Sequence, residues 1–275
     1  MTDLRLDVGT ARLAVTERPA VGARAGDVVA LHAGVSDRRS WGSSSAAWAE
    51  RGWRVVTYDR RGFGDSEWEA APHDHVADLV AVLDDRGIDR AVLVGCSAGG
   101  AVALDAALAH PELVRALVLV GSAVSGQTEL LGEMTAAERM LDAAISEAEA
   151  AGDVDRVNEL ECRYWLDGPG VQHPRVQGDA RALFLQMNGR ALRAPAVGDR
   201  RTRPPAWDRL GTLDVPTAVL VGDLDESDAV AVSRRIADEV PGATLMELAG
   251  SAHLPMLDDP PRFATVTGEL LAELR

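Results

Sequence analysis

A tight glycine-serine-glycine turn between an apolar strand and a small-residue helix constrains this chain more than any other feature. Gly95-Cys96-Ser97-Ala98-Gly99 follows the apolar run Ala91-Val92-Leu93-Val94 and leads into a helix-forming run from Gly99 to His110. In that context a G-x-S-x-G reads as a nucleophile elbow, in which the turn is too sharp for large neighbours and the serine is pushed out at the head of a helix. The helix N-terminus can help to stabilise an anion there. In a chain with 26 Gly the five letters alone can match by accident, so the flanking pattern carries the argument. The bland alternative is a strand-to-helix turn with an inert serine.

The surrounding pattern is that of a parallel sheet. Leu4 to Leu6 and Arg12 to Thr16 read as a hairpin around Val8-Gly9. Val28 to His32, Arg54 to Tyr58, Ala91 to Val94 and Ala116 to Val120 read as strands. Between them, Trp41 to Arg51, Val76 to Arg86 (with Gly87 as a stop) and Gly99 to His110 read as helices. Strands alternating with helices of this length predict βαβ units with helices on both faces of a mostly parallel sheet. The alternation stops at Gly121. From Ser122 to about Leu210 no strand is expected, and Thr135 to Ala151, Val154 to Leu166 and Gly178 to Arg193 read as helices. It resumes with Thr217 to Val221 (strand), Ala229 to Glu239 (helix), Ala243 to Leu248 (strand) and Arg262 to Leu274 (helix). The expected organisation is an α/β core formed by 1–121 and 211–275, interrupted by a helical insertion at 122–210.

Charge narrows the choice of partners. The 275 residues carry a net charge of −15, and every one of the 28 positive charges is an arginine. No basic cluster extends beyond short pairs such as Arg38-Arg39, Arg60-Arg61 and Arg200-Arg201, which argues against nucleic acid and anionic membranes as partners. With no lysine, Schiff-base chemistry and a P-loop lysine are excluded. Cys96 and Cys162 form no metal pattern, and no metal or cofactor is expected. No run reaches transmembrane length and the first residues lack a signal-peptide core, so a cytoplasmic location is expected. A homodimer is left open.

A serine hydroxyl is a weak nucleophile unless a base takes its proton, an acid orients the base and donors receive the oxyanion. The expected chain order is serine, acid, histidine. Of the six histidines, only His173 and His253 follow Ser97 by a long interval; His110 closes the helix that Ser97 opens, about 18 Å away by helical rise. His173 lies in the insertion, whereas His253 follows the last predicted strand, at the carboxyl edge where chemistry collects. The acid is sought after Thr217 to Val221, where Asp225 is preferred and Asp223 comes second; Glu226 and Asp228 read as solvated charges or a helix N-cap. The oxyanion hole is expected from the N–H of Ala98 and that of Gly34, with Val35 as second choice. His32 is expected to brace that loop. For the substrate pocket Trp41, Trp165 and Met187 are the leading residues, from a set that also contains Met134, Met140, Tyr164 and Phe184, most of which would be core of the insertion. Arg163 could hold a substrate carboxylate, but a surface role is the simpler reading.

Together these segments resemble the α/β-hydrolase family. The resemblance rests on Leu31-His32-Ala33-Gly34 with Trp41 behind it, Tyr58-Asp59-Arg60-Arg61-Gly62-Phe63-Gly64-Asp65-Ser66, Val94 to Gly100, His110-Pro111-Glu112, Gly222-Asp223-Leu224-Asp225 and Ala252-His253-Leu254-Pro255. One departure is Ala33, where the family usually has glycine. The resemblance implies the α/β-hydrolase fold, with 122–210 as a helical cap, and a serine hydrolase acting on a small ester or lactone, similar to cap-bearing esterases and enol-lactonases. It also implies that Asp59 to Ser66 is a structural turn. Carbon–carbon bond hydrolysis or perhydrolysis on the same fold is the alternative within enzymes; a slow-turnover ligand receptor is the alternative of another class.

Overall fold

The central strands are apolar on both faces because both faces are covered. A computed structural model describes residues 1–201 and 203–274. In it β1 (Thr2–Asp7) and β2 (Ala11–Arg18) form the expected hairpin. After β3 (Gly26–Leu31) come α1 (Gly42–Glu50), β4 (Trp53–Tyr58), the two-residue β5 (Glu67–Trp68) and α2 (His75–Asp85). The centre is β6 (Ala91–Cys96), α3 (Ala98–Ala109) and β7 (Val114–Val120). The 122–210 stretch supplies α4 (Ala136–Ala150), α5 (Val154–Glu161) and α6 (Gly178–Leu192). The chain closes with β8 (Thr217–Gly222), α7 (Ser227–Glu239), β9 (Thr244–Leu248), the short α8 (Pro255–Asp258) and α9 (Pro260–Glu273).

The sheet order is β1-β2-β4-β3-β6-β7-β8-β9, with β5 paired to β2. From β4 to β9 all neighbours on this path are parallel, and β1, β2 and β5 add the antiparallel edge. Alternation within each strand divides the core. Val29, Leu31, Leu93, Leu117 and Val219 pack with Leu79 and Leu83 of α2, Val102 of α3 and Ile236 of α7. Val28, Ala30, Val92, Val118 and Leu220 pack with Trp48 of α1 and Phe263 and Leu271 of α9. Each such aliphatic or aromatic side chain contributes roughly 1.5–3 kcal/mol when fully buried. On the second face the Trp48 indole N–H also donates to Thr267 Oγ1 at 2.9 Å, tying α1 to α9.

The expected helix over Val154 to Leu166 is not one regular helix. α5 ends at Glu161, and Cys162–Asp167 continues as a wider π-type turn. Such turns shift the side chains that follow out of α-helical register. The expected helix at Trp41 to Arg51 begins instead with a 3-10 turn over Arg38–Trp41. Strand β5 was not anticipated; two residues are too few to show a period. Among the described residues, 122–210 contains no strand, only a single bridge between Arg200 and His73.

The Asp59–Ser66 segment works as a turn. Asp59 is wholly buried and accepts from the N–H groups of Arg38 (2.8 Å) and Asp65 (2.7 Å), besides pairing with the Arg38 guanidinium. Arg61 makes a buried two-point pair with Asp78 of α2 at 2.8 and 2.9 Å. Breaking a buried pair from one side leaves the other charge uncompensated. Arg61→Met should therefore destabilise the protein by about 3–5 kcal/mol, read from chemical denaturation. A loss under 1 kcal/mol would show that Asp78 finds another partner.

Candidate active site

Ser97 lies between β6 and α3 with φ +52° and ψ −120°, and among the described residues it alone has a positive φ without being a glycine. That conformation costs on the order of 1–3 kcal/mol and must be over-determined by its surroundings. Its N–H donates to Val120 O at 3.0 Å, and its carbonyl accepts from Gly100, Ala101 and Ala123. The neighbouring glycines leave room for the turn. A Cβ on Gly95 would come within 2.6 Å of Gly100 Cα, one on Gly99 within 2.2 Å of Leu31 O, and one on Gly100 within 2.1 Å of Ser122 Oγ.

The loop after β3 approaches the same point. A Cβ on Gly34 would lie 4.0 Å from Ala98 Cβ, so the two segments are adjacent. As the first residue of α3, Ala98 has an N–H with no intrahelical acceptor. His32 fixes the loop with both ring nitrogens: Nδ1 lies 2.7 Å from Ala33 O, and Nε2 accepts from Arg60 N–H at 3.0 Å. Burial and then the Arg60 charge hold its pKa well below the ordinary histidine value. A neutral ring that donates from Nδ1 and accepts at Nε2 fits both contacts.

Asp225 and His253 meet beneath the loops that follow β8 and β9. His253 Nδ1 lies 3.0 and 2.9 Å from the two oxygens of Asp225, with both side chains buried. Asp223 is exposed and accepts instead from Gly250 N–H at 2.6 Å. Gly121, at the end of β7, makes room for the pair: its φ is +48°, and a Cβ there would lie 2.9 Å from Asp225 Oδ2 and 3.1 Å from His253 Nδ1. Burial alone would lower the pKa of His253. The Asp225 charge and hydrogen bond, helped by Glu226, outweigh it, and the pKa is raised above 6.5.

Ser97 and His253 line one cavity of about 60 Å³ with Gly121, Ala123, Gln127 and Glu226. A second cavity of about 300 Å³ is lined by Gly34 and Val35 together with Phe63, Asn188, Leu192 and Val197. Trp165 sits over the histidine, with ring centroids 4.6 Å apart and its carbonyl accepting from His253 N–H at 3.2 Å. Trp41 and Met187 are not in this lining. Trp41 is wholly buried against Trp48 and Phe263, and Met187 is buried with Phe184 in the same core. The 3-10 turn sends Trp41 inward, and the apolar face of α6 is spent on packing. Met140 is exposed, and Arg163 and Met134 are half-buried. Tyr164 donates its hydroxyl to Glu226 at 3.0 Å. Glu226 was missed in the sequence, because an acid among three others beside a helix start reads as solvated. Among the described residues no group of His, Cys, Asp and Glu is placed to hold a metal ion, and no helix is long and apolar enough to cross a membrane.

A model of the alpha/beta hydrolase family matches residues 28–266. The chain belongs to that family, and it is a hydrolase. It is 32% identical over 238 residues to the 2-hydroxymuconate semialdehyde hydrolase of Pseudomonas sp. (strain CF600), covering 80% of this chain and 77% of that one. It is 26% identical over 242 residues to the rhodomycin D methylesterase DauP of Streptomyces sp. (strain C5), covering 79% and 81%. Among solved structures, the esterase RhEst1 from Rhodococcus sp. ECU1013 superposes with a TM-score of 0.79 at 25% identity over the full length of both chains.

The raised His253 pKa has a direct readout. Asp225 favours the imidazolium, so the ring should protonate above pH 6.5 in NMR titration. Asp225→Asn should move that titration downward. A His253 signal that titrates at the same pH in the variant would contradict this pairing.

Proposed function

We propose that this hydrolase cleaves small carboxylic esters or lactones through an acyl-enzyme on Ser97. The observation that carries the reading is the buried Asp225–His253 pair opening into one cavity with a serine on a strained turn. His253 Nδ1–H is committed to Asp225, which leaves Nε2 as the base. Ser97 Oγ attacks the carbonyl carbon as Nε2 takes its proton, and Asp225 stabilises the imidazolium. The N–H groups of Ala98 and Gly34 receive the oxyanion. The imidazolium then protonates the leaving alcohol and the acyl-enzyme forms. Water, deprotonated by His253, attacks the acyl carbon; collapse of the second tetrahedral intermediate releases the acid and returns the proton to Ser97.

The 122–210 segment acts in this reading as the cap. Its π-type turn carries Trp165 onto His253, and α6 faces the larger cavity beside the oxyanion loop. The 60 Å³ space beside Ser97 suits a short group, and the 300 Å³ space suits the longer part of the substrate. The relation to a 2-hydroxymuconate semialdehyde hydrolase favours a second reading, carbon–carbon bond hydrolysis by the same triad.

Ser97→Ala should lower turnover of p-nitrophenyl acetate by roughly three to six orders of magnitude while the protein stays folded, because triad members act as a unit. Esterase turnover surviving in the alanine variant would overturn the assignment. Since the base must be neutral, kcat/KM should fall as pH drops through the raised His253 pKa, with the acidic limb above pH 6.5.

Trp165→Ala should reorder a panel of esters graded in chain length. Met187→Ala should instead act on stability, lowering it by about 2–5 kcal/mol. A chain-length preference untouched at Trp165 would remove that residue from the substrate path.

A further inference from the structure

The small cavity shared by Ser97 and His253 has an electrostatic character that the triad does not use. Its fixed acidic lining is Glu226 and Asp228, and no arginine lines it. The two carboxylates differ in their partners. Asp228 Oδ1 accepts from the N–H groups of Leu131 (2.6 Å) and Gly132 (3.2 Å), and its Oδ2 accepts from the Gln127 amide (2.8 Å). Glu226 Oε2 accepts only the Tyr164 hydroxyl, and its Oε1 has no hydrogen-bond partner among the described residues.

Helix capping does not account for Glu226. It occupies the N-cap position of α7, where Ser, Asp or Asn would bond the first turn, yet its side chain makes no cap bond. Instead it turns toward Tyr164, which the π-type turn has brought round from the cap segment. The charged and titratable groups around it are His253 and Asp225 from the catalytic loops, Tyr164 from the cap segment and Asp228 from its own helix. Burial pushes the Glu226 pKa upward, His253 pulls it down and Asp225 pushes it up again. Burial and the neighbouring carboxylate likewise raise the Tyr164 pKa, so this hydroxyl stays a donor. Glu226 Oε1 is open to solvent, and a substrate donor entering the cavity can take that position with a charge-assisted hydrogen bond.

We propose that Glu226, held by Tyr164, selects substrates that present a hydroxyl or ammonium group in the cavity beside Ser97, and rejects those that present a carboxylate there. The proposal rests on the ester or lactone reading above and narrows it. At about 60 Å³ the space takes a group of only a few heavy atoms, so the selected group lies close to the scissile carbonyl. A like charge in a part-buried site is disfavoured, and a donor is favoured because it completes the unfilled oxygen.

The test uses two matched series. One is p-nitrophenyl esters whose short acyl chains end in methyl, hydroxyl, ammonium or carboxylate; the other is acetates whose alcohols end in the same four groups. In at least one series the wild type should favour the hydroxyl- or ammonium-ended ester over the carboxylate-ended one by tenfold or more in kcat/KM. Glu226→Gln should shrink that ratio at least fivefold, mainly through KM. A residue that only supported the fold would lower all four substrates together and leave the ratio unchanged. Should Glu226→Gln fail to fold, the wild-type ranking still decides, and Tyr164→Phe, which keeps the carboxylate, should preserve its direction. Turnover with no discrimination against the carboxylate, or a ratio unmoved in the glutamine variant, overturns the proposal alone. No turnover of any ester in either series overturns the ester or lactone reading on which it rests.

Discussion

The backbone of Ser97 is the constraint on which the rest of the site depends. At φ +52° a serine sits where non-glycine residues rarely do, and the chain holds it there by bonding its N–H to Val120 and its carbonyl to Gly100, Ala101 and Ala123. The same contacts explain the glycines around it. Gly95 lets α3 close onto β6, Gly99 lets the β3 loop approach, and Gly100 makes room for Ser122. The hydroxyl is therefore presented by the packing of two central strands against one helix.

The second organising interaction is electrostatic. The Asp225–His253 pair is buried, and its attraction outweighs the penalty that burial places on the charged imidazole. Gly121 and Gly222 keep the space around it clear: a Cβ on Gly121 would crowd both members, and one on Gly222 would strike Ser251 O at 2.1 Å. In the loop after β3, His32 is held neutral and spends both ring nitrogens on backbone groups, those of Ala33 and Arg60. Two buried histidines thus have opposite electrostatics, one beside a carboxylate and one beside a guanidinium.

Much of this was legible in the sequence because it is local. The elbow, the strand-to-helix alternation and the order of Ser97, Asp225 and His253 follow from short patterns and the rule that loops at the carboxyl edge converge. Asp225 was separable from Asp223 by its distance past the strand end, and the geometry gives the imidazole contact to Asp225. Side chains from 122–210 and from the segment that follows the β3 loop were harder to place. Trp41 and Met187 are large and apolar near the site, yet composition cannot say whether such a residue faces a cavity or fills a seam, and here they fill one. The π-type turn at Cys162–Asp167 leaves no trace in helical periodicity, though it is what turns Tyr164 toward Glu226 and Trp165 toward His253. Glu226 was hidden for a related reason: its environment is made by a residue 62 positions away.

The central claim is that Ser97 is a covalent nucleophile driven by His253. Intact mass spectrometry after treatment with a fluorophosphonate, followed by peptide mapping, tests it most directly. The account predicts a single adduct, located on Ser97, whose formation slows as His253 becomes protonated at low pH. An adduct on another residue, or ester turnover that continues with no adduct at all, would contradict it.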